Sequence, residues 1–311
     1  MYREETYLKR YSGNPILRPN MLPGAEAMMN GCPFIYRDKI HLLQPVIWRN
    51  KEFTSMHVCD SDDGIHFNIN PEPFIQFTPQ AQGEDNPLFH LDRWAIDPRV
   101  TKIGDTYYIM RPGDSYLGTV ALLGCTKDWK TYEHIEIVSL PMNRVPCLFS
   151  EKIGGNYVRL DRPSGRREGD IWIARSPDLI HWGQFRPLLR AGFHWNSKKV
   201  GPTVPIRTEQ GWLVITHGVQ DSCAGSRYSL GAMLLDLENP EKIVGQMKSW
   251  ILTPDRDYEF NGNVPNVVFA CSALADVARD ELRVYYGAAD TYMCLATGSL
   301  SQIINACLKG E

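Results

Sequence analysis

One acidic side chain and a set of scattered cations are the residues whose setting could do chemistry. Asp97 follows the apolar pair Ala95–Ile96 and precedes Pro98. Proline fixes the chain and removes a backbone donor. A carboxylate held there, with little access to water, could have a raised pKa and serve as a proton donor; a turn aspartate before a strand has the same local sequence. Arg99, Arg144, Arg162, Lys199 and His217 each lie at apolar-flanked places. Isolated cations beside buried strands are costly unless paired, with protein carboxylates or with an anionic ligand. Several converging on one point would suit phosphate or carboxylate oxygens, which match guanidinium forks and ammonium charge. Trp48, Trp94, Trp195 and Tyr228 fall in loop-like stretches, where aromatic faces either stack on sugars or pack between sheets. There is no P-loop, GxGxxG, HExxH or GxSxG element, and the His spacing does not suggest a metal site.

What must position these residues is a β architecture. Short β-rich runs punctuated by Gly, Pro and Asp dominate the chain, and long amphipathic helical patterns are almost absent. One unit recurs five times, from Cys32, Asp97, Leu148, Thr203 and Val264. Each copy is a short strand, a turn and a second strand rich in aromatic and β-branched residues. The first four turns are built around Asp-Lys, Gly-Asp, Gly-Gly and Gln-Gly. A second element, Ser/Thr-x-Asp-x-x-x-aromatic, follows three copies: Ser61, Asp63 and Phe67; Thr126, Asp128 and Tyr132; Ser176, Asp178 and Trp182. Leu234–Pro240 is a looser fourth. Five copies give about 62 residues per unit, enough for four strands and a long loop. The expected fold is all-β, a single five-bladed β-propeller over residues 1–311; a β-sandwich with coincidental repeats competes with it. In a propeller the functional residues gather where the innermost strands begin.

Bulk composition narrows the partners. The chain of 311 residues has 33 basic and 36 acidic side chains and no long run of one sign. That excludes the basic stripe of a nucleic-acid surface and a polybasic membrane anchor. No stretch is long and apolar enough to span a bilayer, and the polar N-terminus lacks the apolar core of a secretory signal. The eight cysteines are scattered, read as small buried hydrophobes and point to a reducing compartment, the cytoplasm.

The motifs together resemble glycoside hydrolase family 130, the β-mannoside phosphorylases and related mannosidases. The stretches are NPIL (14–17), MNG (29–31), SDDGIHF (61–67), IDPRV (96–100), SEKIGGNYVRLDRP (150–163), SPDLIHW (176–182), KVGPTVPIRTEQGWLVITHGV (199–219), YSLGAMLLDLENPEKI (228–243), YEFNGNVPNVVF (258–269) and VYYGAAD (284–290). They cover nearly the whole chain in order. The resemblance implies inverting cleavage of a β-mannoside by inorganic phosphate, with α-mannose 1-phosphate as product and no other cofactor. Asp97 matches the family's proton donor, thought to act through the 3-hydroxyl of the mannosyl unit. Arg144, Arg162, Lys199, His217 and Tyr228 match its phosphate contacts. Asn30 and Asp290 match sugar-binding positions, and Arg99 is expected beside them. The chain departs from the pattern at Gly31, where a small hydroxyl residue is usual, at Pro45, in place of an arginine, at Val145, in place of an asparagine, and at Ser150, in place of a proline. These changes bear on which sugar is held. Two other readings are an inverting hydrolase of the same fold, with Glu84, Asp85 or Glu151 as base, and a non-catalytic carbohydrate-binding propeller. Family members often associate, so a homo-oligomer is a further expectation.

Overall fold

A computed structural model describes residues 6–49, 54–76, 95–113, 118–165, 169–223 and 225–311. Five antiparallel sheets follow one another along the chain. The first blade holds Cys32–Tyr36, Lys39–Trp48 and Thr54–Ser61, extended by Ala25–Met28 and two short edge strands. The second holds Arg99–Ile103, Thr106–Gly113, Val120–Thr126 and Glu133–Ile137; the third Cys147–Leu148, Tyr157–Asp161, Ile171–Ser176 and Gly183–Leu189. The fourth is Lys199–Pro202 and Ile206–Arg207 beside Trp212–Ser222, then Gly225–Leu235 and Ile243–Gln246. The fifth is Val268–Asp276, Glu281–Ala288 and Tyr292–Ser299, completed by Lys9–Arg10 from the N-terminal end. This is the five-bladed propeller, and the sandwich alternative falls.

The innermost strands surround one axis and are stitched by a ring of hydrogen bonds. Val100 N donates to Cys32 Sγ (3.2 Å), Thr101 Oγ1 to Leu148 O (3.1 Å), Cys147 Sγ to Pro202 O (3.5 Å), Val204 N to Cys271 O (3.2 Å) and Cys271 Sγ to Asn30 O (3.1 Å). Every neighbouring pair of blades is thus joined at the hub. Six of the eight cysteines are buried, as their apolar settings suggest, whereas Cys125 is half-buried and Cys223 exposed. The three at the hub serve as weak hydrogen-bonding groups as well as small apolar fillers.

The Ser/Thr-x-Asp element forms the same turn in each blade that carries it. Asp63 Oδ1 accepts from Ile65 N and His66 N, both at 2.8 Å; Asp128 and Asp178 repeat the pattern, and Asp236 does so in the fourth blade. Each turn leads from the third to the fourth strand. The first hairpin departs from expectation by one residue. Its turn is Arg37–Asp38 (φ +49° and +61°), with Tyr36 paired to Lys39, because a two-residue hairpin loop needs left-handed backbone at both positions.

Two closing elements were not legible as repeats. Lys9–Arg10 pairs with Thr297 and Ala296, and Arg10 forms a buried ion pair with Glu259 (2.8 Å). The helix Leu300–Lys309, capped by Ser299 and ended at left-handed Gly310, buries Ile303, Ile304 and Cys307 against the fourth and fifth blades. Among the described residues no helix is long and apolar enough to cross a membrane.

Candidate active site at the hub

Asn30, Asp97 and Asp290 come from three different blades and share one unusual feature: each is a non-glycine residue with left-handed backbone, at φ +53°, +50° and +45°. Such conformations carry strain for side-chain-bearing residues and persist only where the surroundings enforce them. Here they turn three polar side chains toward one point at the mouth of the hub. Asn30 Nδ2 donates to Asp97 Oδ1 at 2.9 Å, and Asp290 lies near both. Asn30 and Asp97 are each 5% exposed.

Asn30 is fixed from every side. Its carbonyl accepts from Cys271 Sγ, and the preceding Met29 carbonyl accepts from Gln44 Nε2 (3.1 Å). Its carboxamide lies where a Cβ on Gly287 would stand, so that position has to be glycine. Gly31 is equally constrained, since a Cβ there would lie 2.5 Å from Gln44 Oε1. Pro45 sits opposite the break between Ala25–Met28 and Cys32–Tyr36, where no ladder donor is required. Two of the four departures from the family pattern, Gly31 and Pro45, therefore meet around one buried glutamine.

The cations cluster beside these carboxyls. Arg162 Nη1 lies 2.7 Å from His217 Nε2. An arginine can only donate, so the His217 proton resides on Nδ1. Burial, then Arg162, Arg99 and Lys199, hold His217 well below the usual imidazole range, and it is neutral at pH 7. Arg162 is held down to about 10 by burial and by Arg144 and Arg99, against the pull of Tyr228 and Asp97. Lys199 Nζ stands 5.3 Å over the Tyr228 ring. Glycines make the room: a Cβ on Gly201 would collide with the His217 ring, and one on Gly169 (φ +134°) would lie 2.8 Å from Arg162 Cγ.

Arg99 lies behind this group, 1% exposed, with Nη1 donating to the Asp97 carbonyl and its Cζ 5.6 Å over the Phe269 ring. It supports the backbone of Asp97 from beneath. Its Nε and Nη2, and Nε of Arg162, are buried with no hydrogen-bond partner among the described residues.

Sequence reasoning missed the support under Arg162. Asn143 Oδ1 accepts from Arg162 N (3.2 Å), and Asn143 Nδ2 donates to Asp161 (2.8 Å). Asp161 is paired with Arg159 at 2.9 Å, and Arg159 stacks 4.1 Å over Trp182. The acid next to Arg162 in sequence is thus committed to another arginine. Of the aromatic candidates, Trp48 and Tyr228 lie in strands, and Trp195 is buried against Gly218 and Gly231. Trp94 lies outside the described residues, as do Glu84 and Asp85. Glu151 is ion-paired to Arg207 (3.0 Å). Among the described residues no three His, Cys, Asp or Glu side chains converge to hold a metal ion.

Fold and hub together define a five-bladed propeller whose candidate site residues gather at one mouth of the axis. The sequence profile of the Glyco_hydro_130 family, described as beta-1,4-mannooligosaccharide phosphorylase, matches residues 46–309. The chain belongs to this family. It is 33% identical over 304 residues to a beta-1,4-mannooligosaccharide phosphorylase of Ruminococcus albus, covering 95% of this chain and 89% of that one. It is 39% identical over 255 residues to a beta-1,2-mannobiose phosphorylase of Listeria innocua, covering 80% and 68%. A solved structure of beta-1,2-mannobiose phosphorylase from Listeria innocua, in complex with beta-1,2-mannobiose, superposes with a TM-score of 0.83 at 31% identity, over 96% of this chain and 99% of that one.

Proposed function

We propose that this chain cleaves a β-mannoside with inorganic phosphate, inverting the anomeric centre and releasing α-mannose 1-phosphate. The observation that carries this reading is the crowding of Arg162 with Arg144, Arg99 and Lys199 around a neutral histidine, beside a buried carboxylate. A buried cation held down by burial and by its cationic neighbours, as Arg162 is, is stabilised by an entering anion. A hydrogen phosphate held by Arg144, Arg162, Lys199, His217 and Tyr228 would be aimed at the anomeric carbon, and its charge screened as it attacks. Asp97 supplies the proton to the glycosidic oxygen, through the sugar 3-hydroxyl in the manner the family resemblance implies. Asn30 and Asp290 hold the glycone.

Phosphate can fill the space that an inverting hydrolase gives to water and a second carboxylate. Glu151, one candidate for that carboxylate, is engaged in an ion pair with Arg207. The test is turnover of β-linked manno-oligosaccharides with and without phosphate. The reading requires sugar phosphate as product and no turnover without phosphate; release of free mannose at the same rate in its absence overturns it. The same assay across β-1,2- and β-1,4-linked substrates ranks the linkages.

A further inference from the structure

We propose that Asn143 is a positioning residue for the anion site: its carboxamide, braced by Asp161 and Arg159, sets the separation of Arg144 and Arg162 so that both close on one phosphate. This rests on the phosphorolysis reading and adds to it what fixes the spacing of two of its arginines.

The two arginines lie on separate stretches of chain, and one side chain ties those stretches together. Arg144 directly follows Asn143 in sequence. Asn143 Oδ1 accepts from Arg162 N at 3.2 Å, and the backbones of Asn143 and Pro163 pair beside it. Ser164 N donates to Met142 O (2.7 Å), and Asn143 N to Thr119 O (2.8 Å) at the edge of the second blade. Residues 142–144 are thus laced to residues 162–164 at the seam between the second and third blades. The Arg162 stem has little freedom of its own. A Cβ on Gly169 would lie 2.8 Å from its Cγ, and one on Gly201 3.2 Å from its Cδ. A shift of the Arg162 backbone therefore carries the guanidinium with it.

The carboxamide is itself held in one orientation. Asn143 Nδ2 donates to Asp161 Oδ1 (2.8 Å), so turning the amide over would set its oxygen against a carboxylate and lose both bonds. Arg159 Nε donates to Asp161 Oδ2 (2.9 Å), and Arg159 Nη1 to Val138 O (3.0 Å). The Arg159 guanidinium rests 4.1 Å over the Trp182 ring, the aromatic of the third blade's Ser-x-Asp turn. Asn143, Asp161 and Arg159 are all buried, where polar contacts are strong and a lost partner is costly. The same contacts commit Asp161 to Arg159 and Asn143 and leave the Arg162 guanidinium for an anion. Two guanidinium groups hold one oxyanion best when both reach it together, so their spacing governs affinity.

The experiment exchanges the two ends of the Asn143–Asp161 bond. Asn143→Asp sets two carboxylates against each other, and Asp161→Asn removes the counter-charge of Arg159. The double variant restores an amide–carboxylate bond of the same size and net charge. Inorganic phosphate binding is measured by calorimetry, and KM is measured separately for phosphate and for a β-mannobiose. Each single variant should weaken phosphate by about 10-fold or more, and the double variant should recover most of that loss. The mannobiose KM should stay within about 2-fold throughout, because only the anion's contacts move. Should a single variant fail to fold, Asn143→Ala, which adds no charge, decides on the same split between the two ligands. Unchanged phosphate affinity, or equal rises in both KM values, would mean that Asn143 only supports the fold, and would overturn the proposal. A double variant no better than the worse single would overturn it too. Wild type is read first: if it binds no phosphate, the phosphorolysis reading falls and the proposal with it. If it depends on phosphate and the variants match it, the proposal falls alone.

Discussion

Asn30 Nδ2 lies 2.9 Å from Asp97 Oδ1, across the seam between the first and second blades. Asp97 is thereby aimed by a residue 67 positions away in sequence, and its backbone carbonyl is held by Arg99 from below. Replacing the carboxyl with its amide keeps the shape and removes the acid. Asp97→Asn should lower kcat/KM on a disaccharide by about 10²–10⁴, with a melting temperature close to wild type. Steady-state kinetics and a thermal scan check both halves.

Arg162 should matter to phosphate more than to sugar. Arg162→Ala deletes a charged donor worth about 1.5–3 kcal/mol to an anion, which is about a 10–100-fold rise in the KM for phosphate. Added phosphate should raise the melting temperature of wild type by mass action and should do so much less in the variant. An unchanged phosphate KM would remove Arg162 from the anion site.

How much of this was legible follows from the range of the interactions. The five inner strands and the Asx turns at Asp63, Asp128 and Asp178 are local: a few neighbouring residues determine them, and the repeat exposes them. Asp97 and the cations were visible because polar groups in apolar settings demand partners. The clasp between Arg10 and Glu259 joins positions 249 apart and has no periodic signal. Asn143 and Asp161 look like ordinary polar residues until the fold brings them under Arg162.

The clasp has its own consequence. Arg10 and Glu259 side chains are 6% and 0% exposed, and Glu259 also accepts from Tyr286 OH (2.9 Å) and from the backbone of Asp255 and Arg256. Arg10→Ala leaves a buried carboxylate with its main cation gone. It should cost about 3–5 kcal/mol, read as a lowered denaturation midpoint, because the strand it anchors completes the fifth blade.

Acid should unfold the protein in two stages. His217, His57 and His41 are all held below their ordinary value, first by burial. The unfolded chain therefore binds protons that the folded chain refuses, and stability falls as pH drops below about 6.5. Asp63 is depressed chiefly by its bond to His66, and Asp178 by the His181 backbone N–H and then the His181 ring. Their stabilisation is full above about pH 4 and is lost as pH falls further. Melting temperature against pH should thus flatten in the upper window for His217→Gln, and only in the lower window for Asp63→Asn.

The packing around Asn30 offers the sharpest steric test. Gln44 is fully buried, with Nε2 donating to the Met29 and Pro45 carbonyls, so its amide cannot swing aside without losing both bonds. A serine at 31 would bring its Cβ to 2.5 Å from Gln44 Oε1. Gly31→Ser should therefore destabilise by about 1–3 kcal/mol through overpacking and shift Asn30, weakening sugar binding while the phosphate KM stays near wild type. Adding Gln44→Ala should recover part of the stability, a coupling that a double-mutant cycle measures directly. Gly31→Ser with wild-type stability and sugar KM would show that Gln44 yields, and that the wall around Asn30 is set elsewhere.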